Sequence, residues 1–213
     1  MKIISATVGP FQENSYLVID DESNHAIIVD PGAEPDRLVD MIRKSGAVLD
    51  AIWLTHAHID HIGGITGVKR SWDVPVHLHR ADRVLYDRGA MQAAFYGIPF
   101  EPPAAPEQEV AEGDVLVVGK KEFRVLHVPG HAPGHVVYHG AGILLGGDLL
   151  FAGSIGRTDL PYSDPARMEE SLERICTLED STVVYPGHGA ATAIGIERAT
   201  NPFLNGMARV VKR

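Results

Sequence analysis

The sequence predicts an α/β fold in which β-sheets pack against one another and carry helices on their outer faces. Short β runs give way to helical patterns and then to β again. This succession occurs twice, in two similar halves, and in both halves ligand-type side chains beside glycine follow the β runs. The chain has 213 residues, 45% of them hydrophobic, and no low-complexity linker divides it. It is therefore expected to bury one core as a single domain over residues 1–213.

The first half opens with strands expected over residues 3–8, 16–19 and 26–29, separated by turn-rich breaks. Residues 36–44 read as a helix ended by Gly46, and residues 51–54 as a buried strand leading into a histidine cluster. A helix over 62–72 is expected despite Gly63, Gly64 and Gly67, followed by a strand over 75–78 and a helix over 80–88. The stretch 89–109 stands apart, with Met91, Phe95, Tyr96, Phe100 and four prolines. A connection of that length serves either as a wall over a site or as a packed crossover. In the second half, residues 115–118, 122–128, 136–138 and 143–145 are β-like. Asp164 before Pro165 supplies an N-cap carboxylate and a first-turn proline for a helix expected to run to about residue 178. A strand over 182–185 and a helix over 194–199 complete the pattern.

With 28 acidic against 19 basic residues, the formal charge of −9 repels phosphate backbones and anionic membrane surfaces, and no basic patch offsets it. Nucleic acid and membrane are thus not expected as partners; a small-molecule substrate is. The apolar start at residues 3–4 is too short for a signal peptide, and no stretch reaches the roughly 20 apolar residues of a spanning helix, so a cytoplasmic protein is expected. The sequence does not fix the oligomeric state. The single cysteine, Cys176, falls in the pattern of Met168, Leu172, Ile175 and Leu178, which predicts a buried, inert thiol.

Chemistry concentrates in Thr55-His56-Ala57-His58-Ile59-Asp60-His61. At a strand end His56 and His58 point to the same side, while Asp60 and His61 can turn toward a neighbouring position, so one loop can serve two metal centres. Imidazole and carboxylate suit zinc, iron or manganese. Three further segments, Pro129-Gly130-His131, Gly146-Gly147-Asp148 and Pro186-Gly187-His188, each follow a β run. Strand ends converge on one edge of a sheet, and glycine lets backbone crowd a metal.

In the order His-x-His-x-Asp-His at 56–61, then His131, Asp148 and His188, with Asp30-Pro31-Gly32 before the first helix, the chain resembles the metallo-β-lactamase superfamily and, within it, glyoxalase II-like hydrolases. The resemblance implies an αβ/βα four-layer sandwich with its site at one edge between two sheets. It implies two divalent cations, zinc first, with iron or manganese as alternatives. His56, His58 and His131 would hold one and Asp60, His61 and His188 the other, with Asp148 bridging and Asp60 also orienting the attacking water. A cation of this kind lowers the pKa of water to about 7, and a thioester suits the chemistry because thiolate leaves readily. The chain ends soon after Asn201-Pro202-Phe203, where glyoxalase II carries a helical region with glutathione contacts, so the likeness is to the shorter bacterial forms.

Other readings stay open beside the thioester or ester hydrolase. They are a mononuclear iron persulfide dioxygenase, which shares the motif series and the Gly-Arg-Thr-Asp loop at 156–159, a lactonase or β-lactamase, and a non-catalytic metal-binding protein. Asp30 is expected either to steer a ligand imidazole or to cap the turn before the first helix. His135, the rival of His131 after Pro-Gly, is given a supporting role. His25, His127 and His139 read as structural, as do His77 and His79, with His79 the nearer to the cleft. Arg157 either meets a substrate carboxylate or holds its own loop.

Overall fold

The computed structural model describes residues 1–210. Its first half contains β1 (Lys2–Val8), β2 (Glu13–Ile19), β3 (His25–Val29), α1 (Pro35–Ser45), β4 (Val48–Trp53), α2 (Ile59–Ile62), α3 (Ile65–Lys69), β5 (Val76–His79), α4 (Arg83–Tyr86), α5 (Gly89–Tyr96) and β6 (Gln108–Val110). These strands form a six-stranded sheet in the order β1-β2-β3-β4-β5-β6. The second half contains β7 (Val115–Val118), β8 (Lys121–His127), β9 (Val136–Gly140), β10 (Ile143–Gly147), the short pair β11 (Leu150–Phe151) and β12 (Ser154–Ile155), α6 (Pro165–Ile175), β13 (Val183–Pro186), β14 (Thr192–Ala193) and α7 (Ile194–Thr200). Its sheet runs β14-β13-β10-β9-β8-β7.

The sheets face each other across Tyr16, Val18, Ile27, Val29 and Trp53 on one side and Phe123, Val125, Tyr138 and Leu145 on the other. Trp53 is the pivot of this interface, 4.8 Å from the Tyr138 ring and 5.8 Å from Phe123. Each such side chain removed from water contributes roughly 1.5–3 kcal/mol before entropy is counted. On the outer face of the first sheet, α1 and α3 bury Leu38, Ile42, Ile65 and Val68; on that of the second, α6 and α7 bury Met168, Leu172, Ile175 and Ile194. The result is the metallo-β-lactamase fold, helix, sheet, sheet, helix.

Local chemistry accounts for the helix ends. Asp164 accepts the N–H groups of Ala166 and Arg167, and Pro165 fills the first turn of α6. At the other end of α1, Gly46 takes φ of 70°, a left-handed cap, and donates to the Arg43 carbonyl.

Several elements depart from expectation. The helix expected over 62–72 is two short helices, because the chain turns at Gly63-Gly64 so that the Gly64 N–H reaches the Pro31 carbonyl at 2.7 Å. The helix over 80–88 begins as a 3-10 turn, Arg80–Asp82. Helix α6 stops at Ile175, which leaves Cys176 at its cap and half-buried rather than buried; burial still pushes its thiol pKa up. The segment 89–109 divides: α5 is helical, whereas Ile98 and Phe100 pack against the core of the first half on the way into β6. No helix among the described residues is long and apolar enough to cross a membrane.

Parallel pairing is what positions the site. Strands β3 and β4 run parallel, as do β10 and β13. Their C-terminal ends therefore deliver Asp30, the 55–61 loop, Asp148 and His188 to one edge.

Candidate metal centre

Seven polar side chains converge where the two sheets meet. One ligand atom from each of His56, His58 and His131 lies within 4.8 Å of the others, and the same holds for Asp60, His61 and His188. Asp148 stands between the two clusters. Its Oδ2 is 3.5 Å from His131 Nε2 and 3.4 Å from His188 Nε2, and its Oδ1 is 3.5 Å from His61 Nε2. All seven residues singled out in the sequence are thus brought to one place. Asp30, His56 and His61 also approach one another. Asp30, however, is already engaged: its Oδ1 accepts the Thr55 N–H at 2.7 Å, and its Oδ2 accepts the Thr55 hydroxyl at 2.6 Å and His61 Nδ1 at 3.0 Å.

These supports fix which imidazole nitrogen faces inward. His61 donates from Nδ1 to Asp30, and His131 donates from Nδ1 to the Arg157 carbonyl at 2.8 Å, so both turn Nε2 toward the centre. Since the Thr55 hydroxyl proton goes to Asp30, its oxygen accepts from His56 Nδ1 at 3.1 Å, and His56 too presents Nε2. His135 lies behind the centre, where its Nε2 accepts the Asp148 backbone N–H at 3.0 Å. It orients the chain at Asp148 and leaves the site itself to His131.

The chemistry of the donors fits divalent cations. His56 Nε2, His61 Nε2 and Asp148 Oδ1 are buried without a hydrogen-bond partner, and His58 Nδ1 faces His131 Nε2 at 2.9 Å. Buried polar atoms left without partners are costly unless a cation takes them up. Gly187 makes room for this arrangement, since a Cβ there would fall 2.2 Å from Asp148 Oδ1.

Electrostatically the two clusters differ. Burial, with neighbouring imidazoles adding to it, lowers the pKa of His56 and takes that of His58 to about 3. Burial likewise lowers His131 against the pull of Asp148. In the other cluster burial also acts to lower, but carboxylates outweigh it: Asp148, Asp60 and Asp30 raise His61, and Asp148 and Asp60 raise His188 to about 9. Burial raises Asp148 and Asp60 in turn, yet His61 and His188 bring both below the usual carboxylate range. The His58 side therefore offers neutral imidazoles at pH 7, whereas the His188 side holds protons that a cation must displace.

A pH dependence follows. A histidine whose folded pKa lies above its ordinary 6.5 stabilises the metal-free fold fully below 6.5, and that contribution is lost as pH rises through about 9 for His188. Thermal unfolding of chelator-treated protein should show stability falling across this window. Zinc binding at pH 7 should release protons, and the cation on the His188 side should bind more tightly as pH rises toward 9. Calorimetry in buffers of different ionisation enthalpy measures that release.

Several residues that hold the centre were not read from the sequence. Asp82 is wholly buried; its Oδ2 accepts the Ala57 N–H at 2.7 Å and its Oδ1 accepts the Gly134 N–H. It pins the His56–His58 loop to the loop bearing His131, and burial, partly offset by these two N–H donors, raises its pKa to about 7. Gln92 of α5 accepts the Ile59 N–H at 3.1 Å and donates to the Leu85 carbonyl at 2.9 Å. Asn14 and Tyr16 donate to the Pro186 carbonyl, and Asn14 also to that of Gly189, which fixes the His188 loop against β2. Glu13 is buried beside them, and burial raises its pKa. We expect Asp82→Asn to turn an amide N–H toward a backbone N–H and to weaken cation binding at the His58–His131 side by roughly 10–100-fold. Competitive titration with a chromophoric chelator, compared with Asp82→Ala, checks it.

The remaining histidines lie outside the centre. His25 pairs with Asp50 at 2.8 Å. His79 stacks on His127 at 4.2 Å and accepts the Ala81 N–H, and it does not line the cleft that the sequence placed it near. His77 is tilted against Trp53.

Above the centre opens a cleft of about 980 Å³, reached by His58, Asp60, His131, Asp148 and His188. Met91, Phe95 and Tyr96 of α5 form one wall, so the first part of 89–109 is a wall of the site. Arg157 faces the same cleft, but its guanidinium is bound to both carboxylate oxygens of Asp159 at 2.9 Å.

This geometry has counterparts. The chain is 37% identical over 210 residues to the hydroxyacylglutathione hydrolase GloC of Haemophilus influenzae, covering 96% of this chain and 99% of that protein. Among solved structures, the di-iron-bound form of TTHA1623 is 42% identical with a TM-score of 0.88, over 94% of this chain and 100% of that one. The BLEG-1 B3 metallo-beta-lactamase is 35% identical with a TM-score of 0.90, over 96% and 100%. A match that spans residues 8–188, and so takes in every one of the converging side chains, places the chain in the metallo-beta-lactamase superfamily of metal-dependent hydrolases.

Proposed function

We propose that this chain is a two-metal hydrolase of thioesters or esters, close in activity to the hydroxyacylglutathione hydrolases. The observation that carries the reading is the position of Asp148, whose Oδ2 lies within 3.5 Å of both His131 Nε2 and His188 Nε2 while its Oδ1 lies 3.5 Å from His61 Nε2. His56, His58 and His131 would hold one divalent cation, Asp60, His61 and His188 the other, and Asp148 would contact both. Bound together, such cations lower the pKa of water and polarise a carbonyl oxygen.

The chain's own residues contribute placement. Asp60, half-buried at the cleft floor with an oxygen 3.3 Å from His188 Nε2, is placed to accept a proton from an incoming water and to aim its lone pair at a carbonyl in the cleft. Asp30 keeps His61 in one tautomer, and the Arg157 carbonyl does the same for His131. The apolar side chains of α5 border the cleft in which the reacting carbonyl would lie. Zinc is the first candidate on the donor set, while the di-iron form of TTHA1623 supports iron as the alternative.

The test is a panel of acyl thioesters and esters against protein purified without added metal, run beside an oxygen electrode with a persulfide. Thioester cleavage without oxygen uptake is expected. Oxygen consumption without cleavage would replace the hydrolase reading with that of an iron dioxygenase.

A further inference from the structure

The cleft has two cationic side chains, and they are not equivalent. The charge of Arg157 is met by Asp159 in a two-point contact. Arg88, which immediately precedes α5, instead donates to the hydroxyl of Tyr162 and lies 5.5 Å from the centre of that ring. Among the described residues no carboxylate forms an ion pair with Arg88. It is an exposed cation at the rim of a cleft whose walls are otherwise largely apolar, with Met91 and Phe95 on α5 facing Leu160 and Pro161.

Its partner is held in an unusual way. Tyr162 has φ of 70°, a left-handed conformation that a bulky side chain adopts only under constraint from its surroundings. The constraint is visible next door, where the Ser163 hydroxyl donates to the backbone carbonyl of His131 at 2.7 Å and the Asp164 N–H donates to that of Gly130 at the same distance. The Arg88–Tyr162 pair is thereby held in register with the metal centre. A chain of net charge −9 repels anions at long range, so an anion in this cleft needs a local cation to hold it.

We infer that Arg88, with Tyr162, is a specificity-determining element that recognises a carboxylate on the substrate. The substrate class is an acyl thioester whose apolar body lies between α5 and the 156–163 loop and whose distal carboxylate sits at the rim. The guanidinium is free to take two parallel N–H···O contacts with that carboxylate, the geometry that favours arginine over lysine. The inference rests on the hydrolase reading for the reaction but not for the binding.

The probes are benzoyl thioesters of ω-mercaptoalkanoic acids of increasing length, each paired with the uncharged ω-mercaptoalkanamide. For binding alone, the corresponding S-benzyl thioethers, which cannot be hydrolysed, are titrated calorimetrically. We expect the wild-type protein to prefer the carboxylate member at one chain length by roughly tenfold in kcat/KM and in Kd. Arg88→Gln should bring that ratio to near one, Arg88→Lys should retain part of it, and added salt should erode it. A wild-type ratio of one, or a ratio that persists in Arg88→Gln, overturns the inference. Thioethers bound with an Arg88-dependent preference, but thioesters left intact, would overturn the hydrolase reading and uphold this one; thioesters cleaved without preference would do the reverse.

Discussion

Asp148→Ala is expected to release both cations and to lower hydrolysis by roughly 10³-fold or more, the several kcal/mol of transition-state stabilisation that a metal pair supplies. The size of the effect comes from position. Among the described residues Asp148 is the only carboxylate within 3.5 Å of both His131 and His61, so its removal takes a negative charge from two cations at once and leaves their mutual repulsion uncompensated. Its backbone N–H, donated to His135, is untouched by the substitution, which keeps the loop in place. Asp148→Asn retains the shape and one neutral oxygen, and should lose less metal than the alanine variant. Elemental analysis of both variants, alongside kcat/KM for one thioester, measures this.

His188→Ala should act on one side only. His188 touches Asp60 and Asp148 but none of the first three histidines, so the cation held by His56, His58 and His131 should remain. Loss of the second positive centre raises the pKa of the attacking water, so activity should fall by about 10²-fold at neutral pH and recover in part as pH rises. Metal stoichiometry together with a pH–rate profile checks the result. Full activity with unchanged metal content would mean that the His188 side is not part of the catalytic machinery.

What could be read in the sequence, and what could not, follows from how each residue does its work. The seven converging side chains were legible because each follows a β run and sits beside another ligand or a glycine. Asp30 was legible by its Asp-Pro-Gly turn. Asp82 was not: it is one acidic residue in an Arg-Ala-Asp-Arg run, and nothing local says that it faces inward to two distant N–H groups. Asn14 and Tyr16 fall in the same class, as their partners are about 170 positions away. Strands of two residues, such as β11 and β14, leave no alternation to detect. The 62–72 helix is interrupted because Gly63 and Gly64 serve close packing against the Pro31–Gly32 turn, a tertiary demand that helical periodicity cannot anticipate. The division of 89–109 into an apolar cleft wall and a packed crossover depended on which aromatic faced which cavity, with Phe95 exposed at 83% and Phe100 turned onto the core.

The number of cations bound per chain bears most directly on whether one centre is shared by seven side chains. Protein purified without added metal, loaded with excess zinc or ferrous iron, desalted and weighed by native mass spectrometry should carry two cations per chain, with thioester hydrolysis saturating only at the second. A single cation at saturation, with full activity and with Asp60, His61 and His188 replaceable without loss, would contradict the two-metal centre.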